Sequence, residues 1–150
     1  MKVRCYSVDG QRAVASPTKT LLGITATTAI RPNVFDMYLG SSATPADNAL
    51  LWYIQRSTAA GTSTAVTPQA LDPADPAATA TAGQNHTVEP TYTASAILFH
   101  LALNQRATVR AALDPSAPIV APATANNGLG LYPVHSSFTS NVDATLYYAE

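Results

Sequence analysis

Eleven prolines are spread through the 150 residues, and the segments between them alternate between apolar and polar side chains with a period of two. Proline removes a backbone donor and breaks a helix interior, while period-two alternation marks strands with one buried face. Together they leave little room for long helices and point to an all-β chain of short strands.

Several runs carry the pattern. Lys2 to Val14 reads as a strand or hairpin with a turn at Asp9-Gly10. Leu21 to Ile30 is apolar and Thr-rich. From Asn33 to Leu39, Phe35, Met37 and Leu39 share one face and Val34, Asp36 and Tyr38 the other. In Ala49 to Arg56, Leu50, Trp52 and Ile54 alternate with Leu51, Tyr53 and Gln55. Ala59-Ala60-Gly61-Thr62 turns the chain into a short return strand, Ser63 to Thr67.

Pro68 to Thr81 reads as a surface loop, with one short helical turn at Asp75-Pro76-Ala77-Ala78, where Asp caps and Pro takes the first helical position. An extended stretch, His86 to Ser95, leads into a strand from Ala96 to about Leu103. Residues 104–113 suit helix or strand. Ile119-Val120 lies between prolines, Asn126-Asn127-Gly128 signals a turn, and a last strand, Val142 to Tyr148, puts Val142, Ala144, Leu146 and Tyr148 on one face. The fold expected is one antiparallel β-sandwich over residues 1–150, jelly-roll-like, with extended loops and residues 1–8 as an N-terminal arm or edge strand.

Charge narrows the function classes. Charged residues make up 11% of the chain, against about 25% in ordinary globular proteins, and the net charge is −1. The lysines are Lys2 and Lys19 and the six arginines are scattered, which argues against neutralisation of nucleic-acid phosphates. No apolar run reaches membrane-spanning length, and no apolar stretch follows the N-terminal charges as in a secretory leader. The single cysteine, Cys5, excludes an internal disulfide framework. Thr, Ser, Ala and Asn stand where most soluble proteins use Lys and Glu, and such short side chains lose little entropy when a neighbour covers them.

Catalytic patterns are missing. His86, His100 and His135 lack metal-ligand spacing, and His100 reads as a sheet-face or core histidine. His135-Ser136-Ser137 has no local orienting acid, and no nucleophile elbow is present. Asp72 and Asp75 fit turn capping better than cation binding. Glu89 and Glu150 are the only glutamates, and nothing selects an acid pair from them and Asp36, Asp47 or Asp143. Asn127-Gly128-Leu129-Gly130 is too short for a phosphate loop. Asn85-His86-Thr87 matches a glycosylation sequon without a leader before it. Trp52, Tyr53, Tyr132, Tyr147 and Tyr148 lie in alternating runs and read as packing. The expectation is a non-enzymatic protein without cofactor or metal.

The run from Leu50 through Arg56-Ser57-Thr58-Ala59-Ala60-Gly61-Thr62 to Thr67-Pro68 and Leu71-Asp72-Pro73-Ala74-Asp75, with the ending Leu146-Tyr147-Tyr148-Ala149-Glu150, resembles a group of small tailed-bacteriophage virion proteins. The resemblance covers about two-thirds of the chain and transfers no catalytic residue. It implies a capsid decoration, or cement, protein that is made in the host cytoplasm and sits on the head surface. The expected partners are the major capsid protein and further copies of itself, commonly as a trimer, with neither nucleic acid nor membrane. Contact segments expected on that basis are Met1 to Val8 and Thr67 to Thr81, above all Met1, Lys2, Val3, Arg4, Leu71, Asp72, Pro73, Asp75 and Pro76. Two alternatives remain: a glycan- or receptor-binding fibre module using exposed Trp52 or tyrosines, and a head–tail or tail ring component.

Overall fold

The computed structural model describes residues 3–13, 19–135 and 140–150. They form twelve strands and no helix: β1 (Cys5–Ala13), β2 (Leu22–Thr25), β3 (Asn33–Ser42), β4 (Ala49–Ala59), β5 (Thr62–Val66), β6 (Gln69–Ala70), β7 (Thr81–Val88), β8 (Thr91–Asn104), β9 (Val109–Ala112), β10 (Ile119–Val120), β11 (Gly128–Val134) and β12 (Asn141–Ala149). One sheet runs β10-β3-β12-β1-β6, with β9 also on β3; the other runs β5-β7-β2-β11-β4-β8. Every pairing is antiparallel.

Setting aside the β5–β7 insertion, the pairs nest. β1 pairs β12, β2 pairs β11, β3 pairs β9 and β10, and β4 pairs β8. That is an antiparallel ribbon wrapped into two sheets, the jelly-roll topology. The two inner faces meet in one core. Leu50, Trp52, Ile54, Leu129, Leu131, Leu22 and Ile24 come from one sheet, and Tyr6, Val8, Met37, Leu39, Val142, Leu146 and Tyr148 from the other. Tyr6 and Tyr148, opposite each other in register, are stacked with centroids 5.6 Å apart.

Some local expectations are corrected. Asp9-Gly10 is no turn: β1 runs straight through it, and the missing Gly10 side chain makes room for Leu22 of the facing sheet. In β3 the alternation slips. Tyr147 and Tyr148 pair with Asp36 and Val34, so Phe35 is a bulge that puts Val34 on the core side together with Met37 and Leu39. β5 does not return along β4 but pairs with β7. The expected helical turn at Asp75 is absent. The turn forms one aspartate earlier, with Asp75 N–H donating to the Asp72 carbonyl (2.9 Å) and Ala74 N–H to the Asp72 carboxylate (2.9 Å). Proline at the second position of Asp72-Pro73-Ala74-Asp75 suits a β-turn. Residues 104–113 are a turn followed by β9, not a helix.

β11 is central in its sheet although it contains Gly128, Gly130 and Pro133. Leu21 N–H donates to the Leu131 carbonyl, so alternate backbone groups of β11, Pro133 included, face the β2 side. β2 pairing stops at Leu22, and the missing proline donor costs nothing there.

Candidate interaction surfaces

Met1 and Lys2 lie outside the described residues, as do Ser136 and Ser137. The remaining expected contact residues converge. Leu71 N–H donates to the Cys5 carbonyl, β6 pairs with β1 at Tyr6 and Ser7, and the Tyr6 hydroxyl donates to the Pro76 carbonyl. The far end of the chain joins them: Glu150 N–H donates to Arg4, and the Glu150 carboxylate accepts from Thr79 and Ala80 N–H. Val3, Arg4 and the Leu71–Pro76 loop therefore form one corner of the sandwich. Val3 (61% exposed) and Leu71 (50%) put apolar side chains into solvent there. Beside them is an apolar hollow lined by Val3, Cys5, Phe35, Pro115 and Pro118. From Cys5 onward the segment is sheet rather than arm, with Tyr6 and Val8 in the core.

The opposite edge belongs to β8. Fourteen residues long, it pairs only with β4 and contains no Asp, Glu, Lys or Arg. A bulge around Ser95, which has positive φ, breaks its first half; from Phe99 to Asn104 its register with β4 is regular. Phe99, Leu101 and Leu103 pack against the core and stay half-buried, and Ile97 is 46% exposed. An uncharged, apolar, regular edge is what monomeric proteins avoid, because it templates pairing with another chain.

The outer face of the same sheet carries an aromatic row. His100 packs on Tyr53 (4.7 Å), Tyr53 on Tyr132 (5.6 Å) and Tyr132 on Tyr92 (5.1 Å), all tilted. Tyr132 donates to Gln55 (2.6 Å), and the Tyr92 hydroxyl bonds to that of Thr20, which also donates to Glu89. Desolvation raises the Tyr92 pKa, so this hydroxyl stays protonated. The row exists because Gly130 has no side chain: a Cβ there would collide with the Tyr92 ring. These rings are engaged with one another. Trp52 is fully buried, so it is no stacking platform.

His100 is an exposed sheet-face residue and His86 is buried at 2% exposure. Burial holds the His86 pKa below its ordinary value, against the opposing pull of Glu89. In the unfolded chain the ring titrates near 6.5. The unfolded state therefore binds the extra proton first, and stability falls as pH drops through 6.5 toward the lower folded value. Melting temperature measured from pH 7.5 to 5 declines in the wild type, and His86→Gln flattens that decline. Among the described residues no group of three His, Cys, Asp or Glu is placed to hold a metal.

In comparisons with known proteins, no family model, curated protein or solved structure matches this chain. Sequence reading missed that β8 is an uncharged sheet edge, although fourteen uncharged residues in one run were the available signal.

Proposed function

We propose that this protein is a non-enzymatic assembly component of a bacteriophage virion, a decoration protein that associates with its own copies and with the head shell. The observation that carries this reading is β8, an uncharged apolar edge strand left open on a small rigid domain. Such an edge is stable in water when a neighbouring subunit supplies the missing pairing. The Val3–Leu71 corner lies at the other edge of the sandwich, so a partner there would leave β8 free. With so few charges, both contacts rest on shape, apolar burial and hydrogen bonds, and binding depends weakly on salt. The phage assignment rests on the sequence resemblance of Leu50–Asp75 and the Leu146–Glu150 ending.

Two measurements test it. Quantitative mass spectrometry of purified virions gives hundreds of copies in a simple ratio to the major capsid protein. A few to a dozen copies would move the protein to the tail, the connector or a fibre, and absence would overturn the virion reading. Light scattering of the pure protein gives an oligomer, a trimer on the resemblance. Ile97→Lys dissociates it while the melting temperature of the released monomer stays close to that of wild-type protein diluted to monomer. A wild type that is monomeric at every concentration would sink the role of β8 in self-association.

A further inference from the structure

β4 runs into β5 through Ala60-Gly61, and β7 into β8 through Glu89-Pro90. The two lengths stay paired around this bend: Ser57 faces Tyr92, Ala59 faces Thr91 and Thr62 faces Val88. One arm of the ribbon lies on β11 and the other on β2, where Gly130 and Gly23 face each other in register. A Cβ on Gly23 would lie 3.0 Å from His86 Cε1, and one on Gly130 would run into the Tyr92 ring, so these two rings seat the bend on the glycines. Residues 86–94 are bounded on both sides by left-handed backbone, at Asn85 (φ 53°) and Ser95 (φ 58°). The register of β8 with β4 shifts three times between Ile54 and Ala59, and that of β5 with β7 once. A stretch with so broken a ladder opens more readily than the core strands. Polar ties hold it down. The Glu89 carboxylate accepts from Thr20 N–H (3.0 Å) and Oγ1 (2.7 Å), and Gln55 Nε2 donates to the Thr93 carbonyl (2.8 Å). Arg12 and Lys19 donate to the carbonyls of His86 (3.1 Å) and Thr87 (2.6 Å).

The weak point of this seat is His86. It is buried, and its Nδ1 has no hydrogen-bond partner among the described residues. A neutral imidazole leaves one nitrogen as a bare acceptor, whereas an imidazolium carries a proton on both, so protonation aims a donor at no acceptor. The groups around the ring come from several elements. Glu89 and the backbone of Thr20 and Ala60 favour the proton, while Arg12, reaching over from β1, and above all burial oppose it. Both Glu89 oxygens are already engaged by Thr20, and Lys19 is a second cation one residue from the ring's backbone. β2, β5 and β11 bring no charged side chain, and burial keeps Tyr92 and Tyr132 protonated. We propose that residues 86–94 are an acid-released clasp: seated on Gly23 and Gly130 at neutral pH, and swung off β2 and β11 about Asn85 and Ser95 when His86 takes up a proton, with the rest of the sandwich in place. This inference does not depend on the virion reading.

In the open clasp the ring meets water and titrates near 6.5; in the seat it titrates lower. The open form therefore binds the proton more tightly, and the ratio of open to seated molecules rises as pH falls below 6.5, by up to about tenfold per unit until the seated ring itself titrates. Amide hydrogen exchange of the full chain, followed by NMR from pH 7.5 to 5 and corrected for the intrinsic pH dependence of exchange, reads that ratio residue by residue. Protection across residues 86–94 is expected to fall about five- to tenfold between pH 7.5 and 5.5, while that of Val142–Tyr148 in β12 holds. His86→Gln, neutral throughout, gives a flat profile. Glu89→Gln keeps an acceptor for Thr20 but removes the charge that favours the imidazolium in the seat, so its loss of protection by pH 5 exceeds that of the wild type. This second variant decides the matter if His86→Gln does not fold. Equal losses in β12 would show global unfolding and overturn the clasp. So would unchanged protection across residues 86–94, a decline that His86→Gln leaves intact, or a profile flattened by Glu89→Gln, which would make the carboxylate the trigger.

Discussion

Trp52→Ala lowers the unfolding free energy by about 3–5 kcal/mol, the range for deleting a fully buried large aromatic. The side chain is 0% exposed and stands on the inner face of β4 between Leu50 and Ile54, where the two sheets meet. In a chain of this size each kcal/mol moves the melting temperature by roughly 2–4 °C, so a fall of about 6–20 °C is expected in calorimetry. A fall of only a degree or two would mean that the sandwich does not close over this side chain. Trp52→Phe discriminates further. The indole N–H has no hydrogen-bond partner among the described residues. Replacing it removes an unsatisfied donor, which offsets part of the lost volume. The phenylalanine variant therefore loses less than half of what the alanine variant does. Trp52 is also the only tryptophan, so intrinsic fluorescence reports this one site. Its emission is blue-shifted and weakly quenched by acrylamide in the folded protein, and saccharides leave it unchanged.

Gly128→Ala is the second large effect, and it acts through backbone rather than volume. A Cβ at this position would overlap the Ile24 carbonyl oxygen and crowd the Thr25 Cα at 3.2 Å. Neither belongs to a side chain that can swing away, so β2 and β11 must separate locally. A loss of about 3 kcal/mol or more follows, at the upper end of overpacking costs. Gly40→Ala is the matched control. It meets Thr108 Oγ1 at 3.0 Å, a side-chain atom that can rotate, and costs less than about 1 kcal/mol. Equal losses at both positions, measured by urea unfolding, would refute the close approach of β2 to β11.

The two strands read most accurately from sequence were β4 and β12, whose alternation runs without a slip through their inward residues: Leu50, Trp52 and Ile54, then Val142, Ala144, Leu146 and Tyr148. Period two is a local signal, and there nothing interrupts it. β11 was not legible. Gly128, Gly130 and Pro133 are poor strand formers, and each is tolerated for a long-range reason: the nearness of Ile24, the Tyr92 ring above Gly130, and the end of β2 beside Pro133. The phase of β3 was misread because the Phe35 bulge answers to its partner, β12, and leaves no mark on β3 itself. The all-β sandwich could be read from alternation and proline spacing. The nesting of its pairs depends on contacts across almost the whole chain. The same division holds for the surfaces. The Val3 and Leu71 segments were picked out separately, but the seats of His86 and Tyr92 on Gly23 and Gly130 appear only once β2 and β11 are side by side.

The pairing of Cys5–Ala13 with Asn141–Ala149 sets when the molecule can become itself. During synthesis β1 leaves the ribosome first and waits for a partner that arrives about 130 residues later, some ten seconds or so at ordinary elongation rates. Until then β1 has only the two-residue strand β6 at its side, and the sheet that β12 divides exists only as separate pieces. Closure of so long a loop makes folding slow. An open sheet edge such as β8 would meanwhile be offered to neighbouring nascent chains before its own sandwich is complete. A chaperone that holds the growing chain would therefore change the yield of soluble protein more than the stability of the finished fold.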